Sequence, residues 1–398
     1  REAELAADHP ALLASVNQLG IIYRHQDRLD EAEPLMRRVL EAREAAKVPE
    51  PLAIAQALNN LGNLLWRQRR YSEAEPTHRR ALEIREKHQA SPQVLGESLN
   101  NLGVMLQDQR RYEEALPYLR RADQIFVETL GEEHPVRAAG LNNLGMTEQR
   151  LGYWQAAEAH YRQAEAIWQT AYGNSHPRTI NAQVNLGRLL LGAGREPEAS
   201  KLLRDVLRRQ DLAEAQPARI ATTVRNLGVA FGRMGDFERA ESALRRALAY
   251  YREIRGEDSA STLLARSDLA WLAWRRGRFS QAEAEHREIL EARERKHGTE
   301  HLRVAGSLYN LSLTLVAQGR DEEAEPLLRR ALAIREASRG LVHRDVGEVL
   351  LELGELLGRT DRRQEAGQLL GRTIEIYRQV LPPNHRDLQR AIEAEAGL

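Results

Sequence analysis

The chain has 398 residues, and its 58 lysine and arginine residues balance 58 aspartate and glutamate residues, so its formal net charge is zero. Nucleic acids and anionic membranes both attract a basic excess, so we expect neither as a partner. Cysteine is absent, which excludes disulfides, thiol catalysis and cysteine-based zinc sites. No apolar run reaches the ~20 residues that span a bilayer, and no signal peptide opens the chain. We therefore expect a cytoplasmic protein.

A Leu-Gly pair recurs along the chain at intervals of 41 or 42 residues. The second residue of the pair, which we call the anchor, is small in every repeat. The anchors are Gly20, Gly62, Gly103, Gly145, Gly187, Gly228, Ala270, Ser312 and Gly354. Leucine precedes every anchor, and alanine lies twelve residues after it. Fixed-period self-similarity of this kind predicts nine structural repeats that stack on their neighbours.

Each repeat divides into two predicted helices, which we call A and B. Helix A has apolar residues eight, four and one positions before the anchor, as in Leu12, Val16 and Leu19, which is one face of a helix. Helix B follows a short polar turn, and Ser72-x-x-Glu75 predicts a capping box at its start. A small anchor would allow a neighbouring helix to approach closely.

The loop before helix A often carries a histidine eleven residues before the anchor. These histidines are His9, His134, His176, His301, His343 and His385. Since consecutive ones lie a full repeat apart, we interpret them as loop caps rather than metal ligands. We expect no metal and no cofactor.

The two ends of the chain differ from the repeats between them. Residues 1–7 resemble the tail of a preceding helix B, and the first residue is Arg1 rather than Met, so we expect a piece cut from a longer protein. Residues 385–397 predict a partial tenth helix A that caps the array. No linker or change in composition divides residues 1–398, which predicts a single repeat domain.

The repeat resembles a known family. The pattern Leu19-Gly20-x-x-Tyr23 with Ala32 resembles the tetratricopeptide repeat, although that unit is usually about 34 residues long. The longer period, the "NNLG" of helix A, the "EAEPLxRRALxIRE" pattern of helix B and the "HP" loop resemble its kinesin light chain-like subclass. The resemblance implies an all-α fold, a right-handed α-α superhelical solenoid of nine repeats plus a C-terminal capping helix. It also implies that the A helices line a concave groove.

Asparagines recur two and three residues before the anchor, at positions −2 and −3. Carboxamides offer both a donor and an acceptor, as an extended peptide main chain requires. The resemblance implies such a role for Asn60, Asn101, Asn143, Asn185, Asn226 and Asn310, and we predict the same role for the adjacent Asn59, Asn100 and Asn142. The alternative is that these side chains bond to each other or to neighbouring helices and fix the stacking of the repeats.

Arginine and tryptophan share the same predicted face of helix A. The arginines are Arg67, Arg150, Arg188, Arg225, Arg233 and Arg275, and the tryptophans are Trp66, Trp271 and Trp274. Guanidinium groups suit carboxylates, and tryptophan is a frequent hot-spot residue. We therefore predict an extended, acidic peptide ligand with a bulky apolar residue. The alternative for each tryptophan is packing between repeats.

Arginine pairs recur on helix B and resemble a nucleic-acid patch. Each of six repeats, however, places a glutamate four residues before an arginine, as in Glu33 and Arg37 or Glu75 and Arg79. Such pairs stabilise a solvated helix face. We therefore interpret the pairs as surface salt bridges.

The chain carries no P-loop, zinc-protease or serine-hydrolase motif, so we expect no enzyme. The leading hypothesis is a protein-interaction scaffold or adaptor that binds an extended peptide segment of a partner in its groove. A second hypothesis is a ligand-sensing array from a larger signalling or defence protein with a nucleotide-switch or protease effector. A third is homotypic assembly through the groove or an end of the array.

Overall fold

A computed structural model describes residues 9–212, 217–360, 362–381 and 385–398. These residues form helices and no strand, so the all-α prediction is confirmed. The A helices are α1 (Pro10–His25), α3 (Pro51–Arg67), α5 (Pro92–Asp108), α7 (Pro135–Leu151), α9 (Pro177–Gly192), α11 (Pro217–Arg233), α13 (Ala260–Arg275), α15 (Leu302–Ala317) and α17 (Arg344–Arg359). The B helices are α2 (Leu29–Glu44), α4 (Tyr71–Lys87), α6 (Tyr112–Leu130), α8 (Trp154–Tyr172), α10 (Glu196–Leu212), α12 (Phe237–Arg255), α14 (Phe279–His297), α16 (Asp321–Arg339) and α18 (Arg363–Val380). A last helix, α19 (Arg386–Ala396), follows them.

The chain divides into two compact units, residues 1–185 and 186–398, with the boundary inside α9. Within each unit, A and B helices alternate as the repeat predicts. In the first unit the largest apolar cluster includes Met36, Leu64, Leu102 and Leu119. In the second unit a comparable cluster forms around α15, α16 and α17.

The anchor is small because helix B places a side chain directly against it. A Cβ atom on Gly103 would lie 2.6 Å from Leu119 Cγ, and one on Gly228 would lie 2.8 Å from Leu244 Cγ. Both leucines lie sixteen residues after their anchors and are fully buried. The helix that approaches the anchor closely is therefore helix B of the same repeat. Because this contact recurs in each repeat, a small residue recurs at the anchor once per repeat.

The loop histidines cap the A helices. His134 Nδ1 accepts a hydrogen bond of 3.2 Å from the Val136 amide, and His343 Nδ1 accepts one of 3.0 Å from the Asp345 amide. His9, His176, His301 and His385 make the same contact in their own loops. An imidazole nitrogen thus satisfies one of the helix's unpaired amides, as a shorter polar side chain does elsewhere. The prediction of loop capping is confirmed.

The predicted capping box at Ser72 and Glu75 is wrong. Helix α4 begins at Tyr71, its cap residue is Arg70, and no side chain bonds to the first amides. Glu75 instead binds Arg79 at 2.8 Å and also binds Arg111 of the next repeat. The glutamate therefore joins two repeats on the outer face of the B helices.

The salt bridges predicted along helix B are present in all six repeats. Glu33–Arg37 and Glu158–Arg162 have nitrogen–oxygen distances of 2.7 and 2.8 Å. The others are Glu75–Arg79, Glu241–Arg245, Glu283–Arg287 and Glu325–Arg329. The paired arginines therefore belong to a charge-balanced helix surface. Among the described helices, none has the length and apolar character needed to cross a membrane.

Candidate functional site

The recurring asparagines join neighbouring A helices. Asn60 Nδ2 donates to Asn17 Oδ1 at 3.0 Å, and Asn143 Nδ2 donates to Asn100 Oδ1 at the same distance. Both bonds connect position −2 of one repeat with position −3 of the repeat before it. We call this pair of positions a rung. The doubled asparagine therefore has a structural reason, because each member faces a different neighbour.

A rung of two asparagines uses only part of its hydrogen-bonding capacity. Asn185 Nδ2 donates to Asn142 Oδ1 at 3.0 Å, which leaves Asn185 Oδ1 and Asn142 Nδ2 without a partner among the described residues. The Asn100–Asn143 rung leaves the same two groups. All four side chains are half-buried rather than buried. Each rung can thus offer one acceptor and one donor to a ligand.

The rung at Asn17 and Asn60 is more enclosed. Asn60 is only 5% exposed, and its Oδ1 also accepts a 3.3 Å bond from Gln56 Nε2. Gln56 Oε1 in turn accepts from the buried Arg85 at 3.1 Å. The Asn60 carboxamide is therefore committed to contacts inside the chain, and its predicted contact with a ligand stays a prediction.

Asn59 and Asn101 occupy the two positions of a rung, but no hydrogen bond joins their side chains. Asn59 Oδ1 is buried without a hydrogen-bond partner in the described structure. Asn101 is half-buried, and its side chain makes no hydrogen bond to any described residue. Its whole carboxamide is thus available on the same face as the two rungs beside it.

In the second unit, residue types other than paired asparagines occupy the rung positions. Arg225 and Asp268 form a bidentate ion pair. Arg225 Nε donates to Asp268 Oδ2, and Arg225 Nη2 donates to Asp268 Oδ1 at 3.2 Å. Asn310 Nδ2 donates to Ser267 Oγ at 3.2 Å. Asn226 is 3% exposed and its Nδ2 is buried without a partner within the described residues. Burial raises the pKa of Asp268, although Arg225 opposes this effect.

Two of the predicted arginines cap the A helix of the preceding repeat. Arg67 donates to the Arg24 carbonyl at 2.7 Å and lies 3.3 Å from Asp27. Arg233 makes the same contact with the Leu191 carbonyl. The pKa of Arg24 is lowered by burial and by the cation of Arg67. These arginines therefore stabilise the stack.

The pKa of Arg233 is likewise lowered, chiefly by burial. Glu196 opposes that shift, while the cations of Arg386 and Arg344 add to it. The three cations are balanced, because Glu196 lies 3.7 Å from Arg233, and Asp387 lies 3.1 Å from Arg344 and 3.5 Å from Arg386.

The remaining predicted arginines differ in environment. Arg150 is exposed and forms no ion pair with the described residues. Arg275 is exposed and lies over the Trp271 ring, with its guanidinium carbon 5.7 Å from the ring centre. Arg188 is half-buried on α9. Of these three arginines, Arg150 and Arg275 are therefore the exposed ones.

The tryptophans take part in packing between repeats. Trp66 Nε1 donates to Asp108 Oδ2 of the next repeat at 2.7 Å. Trp271 lies so close to Gly232 of the preceding repeat that a Cβ there would be 2.7 Å from its ring. Trp274 Nε1 is buried and has no hydrogen-bond partner among the described residues. A ligand-binding role for the three rings stays a prediction.

Sequence reasoning missed a set of buried arginines on the B helices. Arg85 is 4% exposed, and it donates to Gln56 and to Ser98 of the next repeat. Arg293 is 8% exposed, and it donates to Ser307 Oγ at 2.8 Å. Burial lowers the pKa of Arg293 to about 10, with Arg303 adding to the effect. Their signal was a fixed distance of 23 residues from the anchor, shared by Arg43, Arg85, Arg293 and Arg335.

The loop histidines do not form a recognisable metal site. In the part of the chain that the structure describes, no group of three or more histidine, aspartate and glutamate side chains is arranged to hold a metal ion. The Nδ1 atoms of these histidines already accept helix amides.

Comparison with known proteins agrees with this geometry. Sequence profiles described as "Tetratricopeptide repeat" match residues 4–87, 95–169, 136–211, 219–295 and 281–337, and a second such profile matches residues 346–387. The chain belongs to the tetratricopeptide repeat family. Searching curated protein sequences for relatives of this tetratricopeptide repeat chain gives no match.

Two solved structures show the same fold at low sequence identity. The apo form of the quorum sensor NprR from B. thuringiensis is 16% identical, with 91% of this chain and 98% of that one covered and a TM-score of 0.65. The Rap conjugation gene regulator of the plasmid pLS20, in complex with the Phr* peptide, is 16% identical, with 96% and 97% covered and a TM-score of 0.59. A kinesin light chain-type protein from Podosopora anserina is 22% identical over 52% of this chain and 98% of its own, with a TM-score of 0.42.

Proposed function

We propose that this tetratricopeptide repeat chain is a non-catalytic scaffold that binds an extended peptide segment of a partner protein along its A helices. Two observations support the proposal. The rungs at Asn100–Asn143 and Asn142–Asn185 each use only half of their hydrogen-bonding groups, and the Asn101 side chain forms no hydrogen bond to a described residue. Successive donors and acceptors on one face match the main chain of an extended peptide, whose own polar groups need partners when they leave water.

An acidic ligand fits the charges on this face. The Arg24 and Arg67 cations lie side by side near the ends of α1 and α3, and their proximity helps to lower the pKa of Arg24. Arg150 is exposed on α7 without an ion pair among the described residues. A carboxylate of the ligand would be attracted to each of these positions. The positive charge is local, since the chain as a whole is neutral.

A sensor function is the second candidate. Two of the similar structures are a quorum sensor and a gene regulator in complex with a peptide, and both align over more than nine-tenths of this chain. A peptide that bridges successive A helices would change the free energy of their stacking, which is how a repeat array can transmit binding to a neighbouring effector. The scaffold and the sensor share the same peptide site.

The test compares Asn101→Ala with Asn60→Ala in the full chain. Fluorescein-labelled acidic and neutral extended peptides are screened by anisotropy, and the best binder is kept. Asn101→Ala should weaken that binder about fivefold to tenfold, since one hydrogen bond contributes roughly 1 kcal/mol. Its melting temperature should stay unchanged, because the Asn101 side chain bonds to no described residue. Asn60→Ala should instead lower the melting temperature.

Two peptide modifications separate main-chain recognition from side-chain recognition. N-methylation of alternate residues removes amide donors and should abolish binding, whereas alanine substitution at the same residues should have a smaller effect. Replacing acidic residues by their amides, or raising the salt concentration, should weaken binding because exposed charge contacts are screened. Binding that survives both N-methylation and Asn101→Ala would contradict the proposed recognition of the main chain.

A further inference from the structure

The seventh repeat has a small residue where the other repeats have a large one. Three residues after its anchor lies Ala273, and the same position holds Glu148 in the fourth repeat. In the remaining seven repeats it holds Tyr23, Leu65, Leu106, Leu190, Phe231, Leu315 and Leu357. Leu269, which lies one helical turn before Ala273, is only half-buried, whereas its equivalents Leu227 and Leu311 are at most 5% exposed. The packing of α12, α13 and α14 is therefore incomplete at this point.

A cavity of about 190 Å³ lies there, which we call the Ala273 cavity. Leu272 and Ala273 are buried and form its apolar floor together with Leu269, whereas Arg278 and Gln281 are exposed at its mouth. A protein cavity of about 150 Å³ admits benzene, so the Ala273 cavity has room for an aliphatic group of about six carbons.

Arg278 at the mouth lacks the partner that its equivalents have. In six other repeats the arginine at this position pairs with a glutamate three residues later, as Arg320 does with Glu323 at 2.7 Å. In the seventh repeat Gln281 replaces that glutamate. The Arg278 side chain forms no ion pair and no hydrogen bond with a described residue.

The other charged groups that line the cavity already have partners. Arg276 and Arg245 both bind Glu241, with nitrogen–oxygen distances of 2.6 and 2.7 Å. Glu285 binds an arginine of α13 at 2.7 Å. A ligand that enters the cavity would therefore meet one cation, Arg278, that is not balanced by a described residue. A guanidinium group binds a carboxylate through two parallel hydrogen bonds.

We propose that the Ala273 cavity is a binding site for a small aliphatic carboxylate. The carboxylate binds Arg278 at the mouth, and the aliphatic group leaves water to contact Leu269, Leu272 and Ala273. The cavity thus combines an apolar floor with a single cation, which fixes the orientation of the acid. The proposal does not rest on the peptide site, because the asparagines of that site lie in the first unit.

Isocaproate, a branched acid of six carbons, is a suitable probe. It is titrated into the full chain, and its binding is followed by saturation-transfer NMR of the ligand. We expect saturable binding with a Kd of about 1 mM or tighter. Isocaproamide, which has the same shape without the charge, should bind at least tenfold more weakly. No saturable binding of the acid, or equal binding of acid and amide, would overturn the proposal.

Two substitutions give the seventh repeat the residues of the others. Ala273→Leu fills the cavity and should abolish binding while it raises the melting temperature. Gln281→Glu supplies Arg278 with its usual partner, and it should weaken binding at least fivefold with no change in helical content. Because Gln281 is exposed, this second variant tests the site without altering the core. Wild-type affinity in either variant would contradict the proposal.

Glu323→Gln is the matched control in the next repeat. It removes a partner of Arg320, but Leu315 occupies the position of Ala273 there, so the variant should keep one site with wild-type affinity. A second site of similar affinity would overturn the need for a cavity. An acetylated peptide that ends in leucine presents the same chemical group as isocaproate. Tighter binding than isocaproate would support the C-terminus of a polypeptide as the natural source of the carboxylate, and weaker binding would support a free acid.

Discussion

The two units build the same contact between A helices from different residues. In the first unit the bonded rungs are pairs of neutral carboxamides, as at Asn100 and Asn143. In the second unit one rung is the ion pair of Arg225 and Asp268, and the next joins Ser267 to Asn310. The geometry of the stack therefore fixes where a polar pair must lie, but it does not fix which pair.

The difference in chemistry has consequences for binding. A pair of carboxamides leaves a donor and an acceptor, whereas Arg225 uses both oxygens of Asp268. The second unit thus exchanges a possible ligand contact for a stronger contact within the chain. Its A–B turns differ in part as well. Glycine holds the left-handed position in the second unit, at Gly194, Gly235, Gly277 and Gly319, whereas the first unit has Asp27, Arg69 and Arg110 there and glycine only at Gly152.

The largest expected effect comes from breaking the ion pair of the second unit. Arg225→Ala leaves Asp268 largely buried without its cation, and such a loss typically costs about 3 kcal/mol. The first-unit counterpart, Asn60→Ala, removes a neutral hydrogen bond and should cost about 1 kcal/mol. Urea unfolding followed by circular dichroism measures both free energies of unfolding.

The double variant Arg225→Asn with Asp268→Asn places a first-unit rung in the second unit. It should recover most of the stability that Arg225→Ala loses, because no charge remains buried. If the double variant is as unstable as Arg225→Ala, the ion pair contributes through its shape and packing, and the comparison of the two rungs fails.

The next largest expected effect is a decrease in the free energy of unfolding at acid pH, caused by one buried histidine in each unit. His78 of the first unit and His286 of the second lie sixteen residues after their anchors, and they are 2% and 3% exposed. Burial lowers the pKa of His78 to about 4, and the nearby Arg85 cation adds to this effect. Burial likewise lowers the pKa of His286 to about 4, with Arg293 adding to it. Both side chains are thus neutral in the folded chain at neutral pH.

The direction of the pH dependence follows from these shifts. Below pH 6.5 the unfolded histidine binds a proton that the folded one does not, so stability is complete above that pH and falls towards pH 4. Each histidine should cost about 2 kcal/mol at pH 5. His78→Leu and His286→Leu should each remove about half of this dependence in urea unfolding at pH 7 and pH 5. Leucine fits, since Leu119 and Leu244 fill the same position. An unchanged pH profile in both variants would assign the acid sensitivity to carboxylates.

Sequence periodicity accounts for most of the fold but for only part of the site. The anchors, the helix pairs and the histidine caps could be predicted because each depends on residues within one repeat. The Arg225–Asp268 pair and the bond from Asn143 to Asn100 join residues 43 positions apart, so their partners depend on how neighbouring repeats stack. The fixed position of Arg85 in its repeat is visible in the sequence, but its contact is not, since its hydroxyl partner, Ser98, belongs to the next repeat.

The smallest effect concerns the A–B turns. Arg110 has a φ of +63°, and Gly277 has a φ of +73° at the same position of its repeat in the second unit. A side chain in this conformation destabilises the folded chain by roughly 1 kcal/mol. Glycine avoids this strain, but it offsets part of the gain because it loses more conformational entropy on folding. Arg110→Gly should therefore stabilise the chain by about 0.5 kcal/mol, whereas Gly277→Ala should destabilise it by about 1 kcal/mol.

Arg110→Ala is the matched control in the first unit. It removes the exposed guanidinium group but keeps the Cβ atom in the left-handed conformation, so the midpoint of urea unfolding should move less than in Arg110→Gly. Equal shifts in the two variants would mean that the charge of Arg110, rather than its backbone, limits stability. If Arg110→Gly raises the midpoint and Gly277→Ala lowers it, both units require the same left-handed turn conformation. In the second unit every described repeat has glycine at this position, and in the first unit not every repeat does.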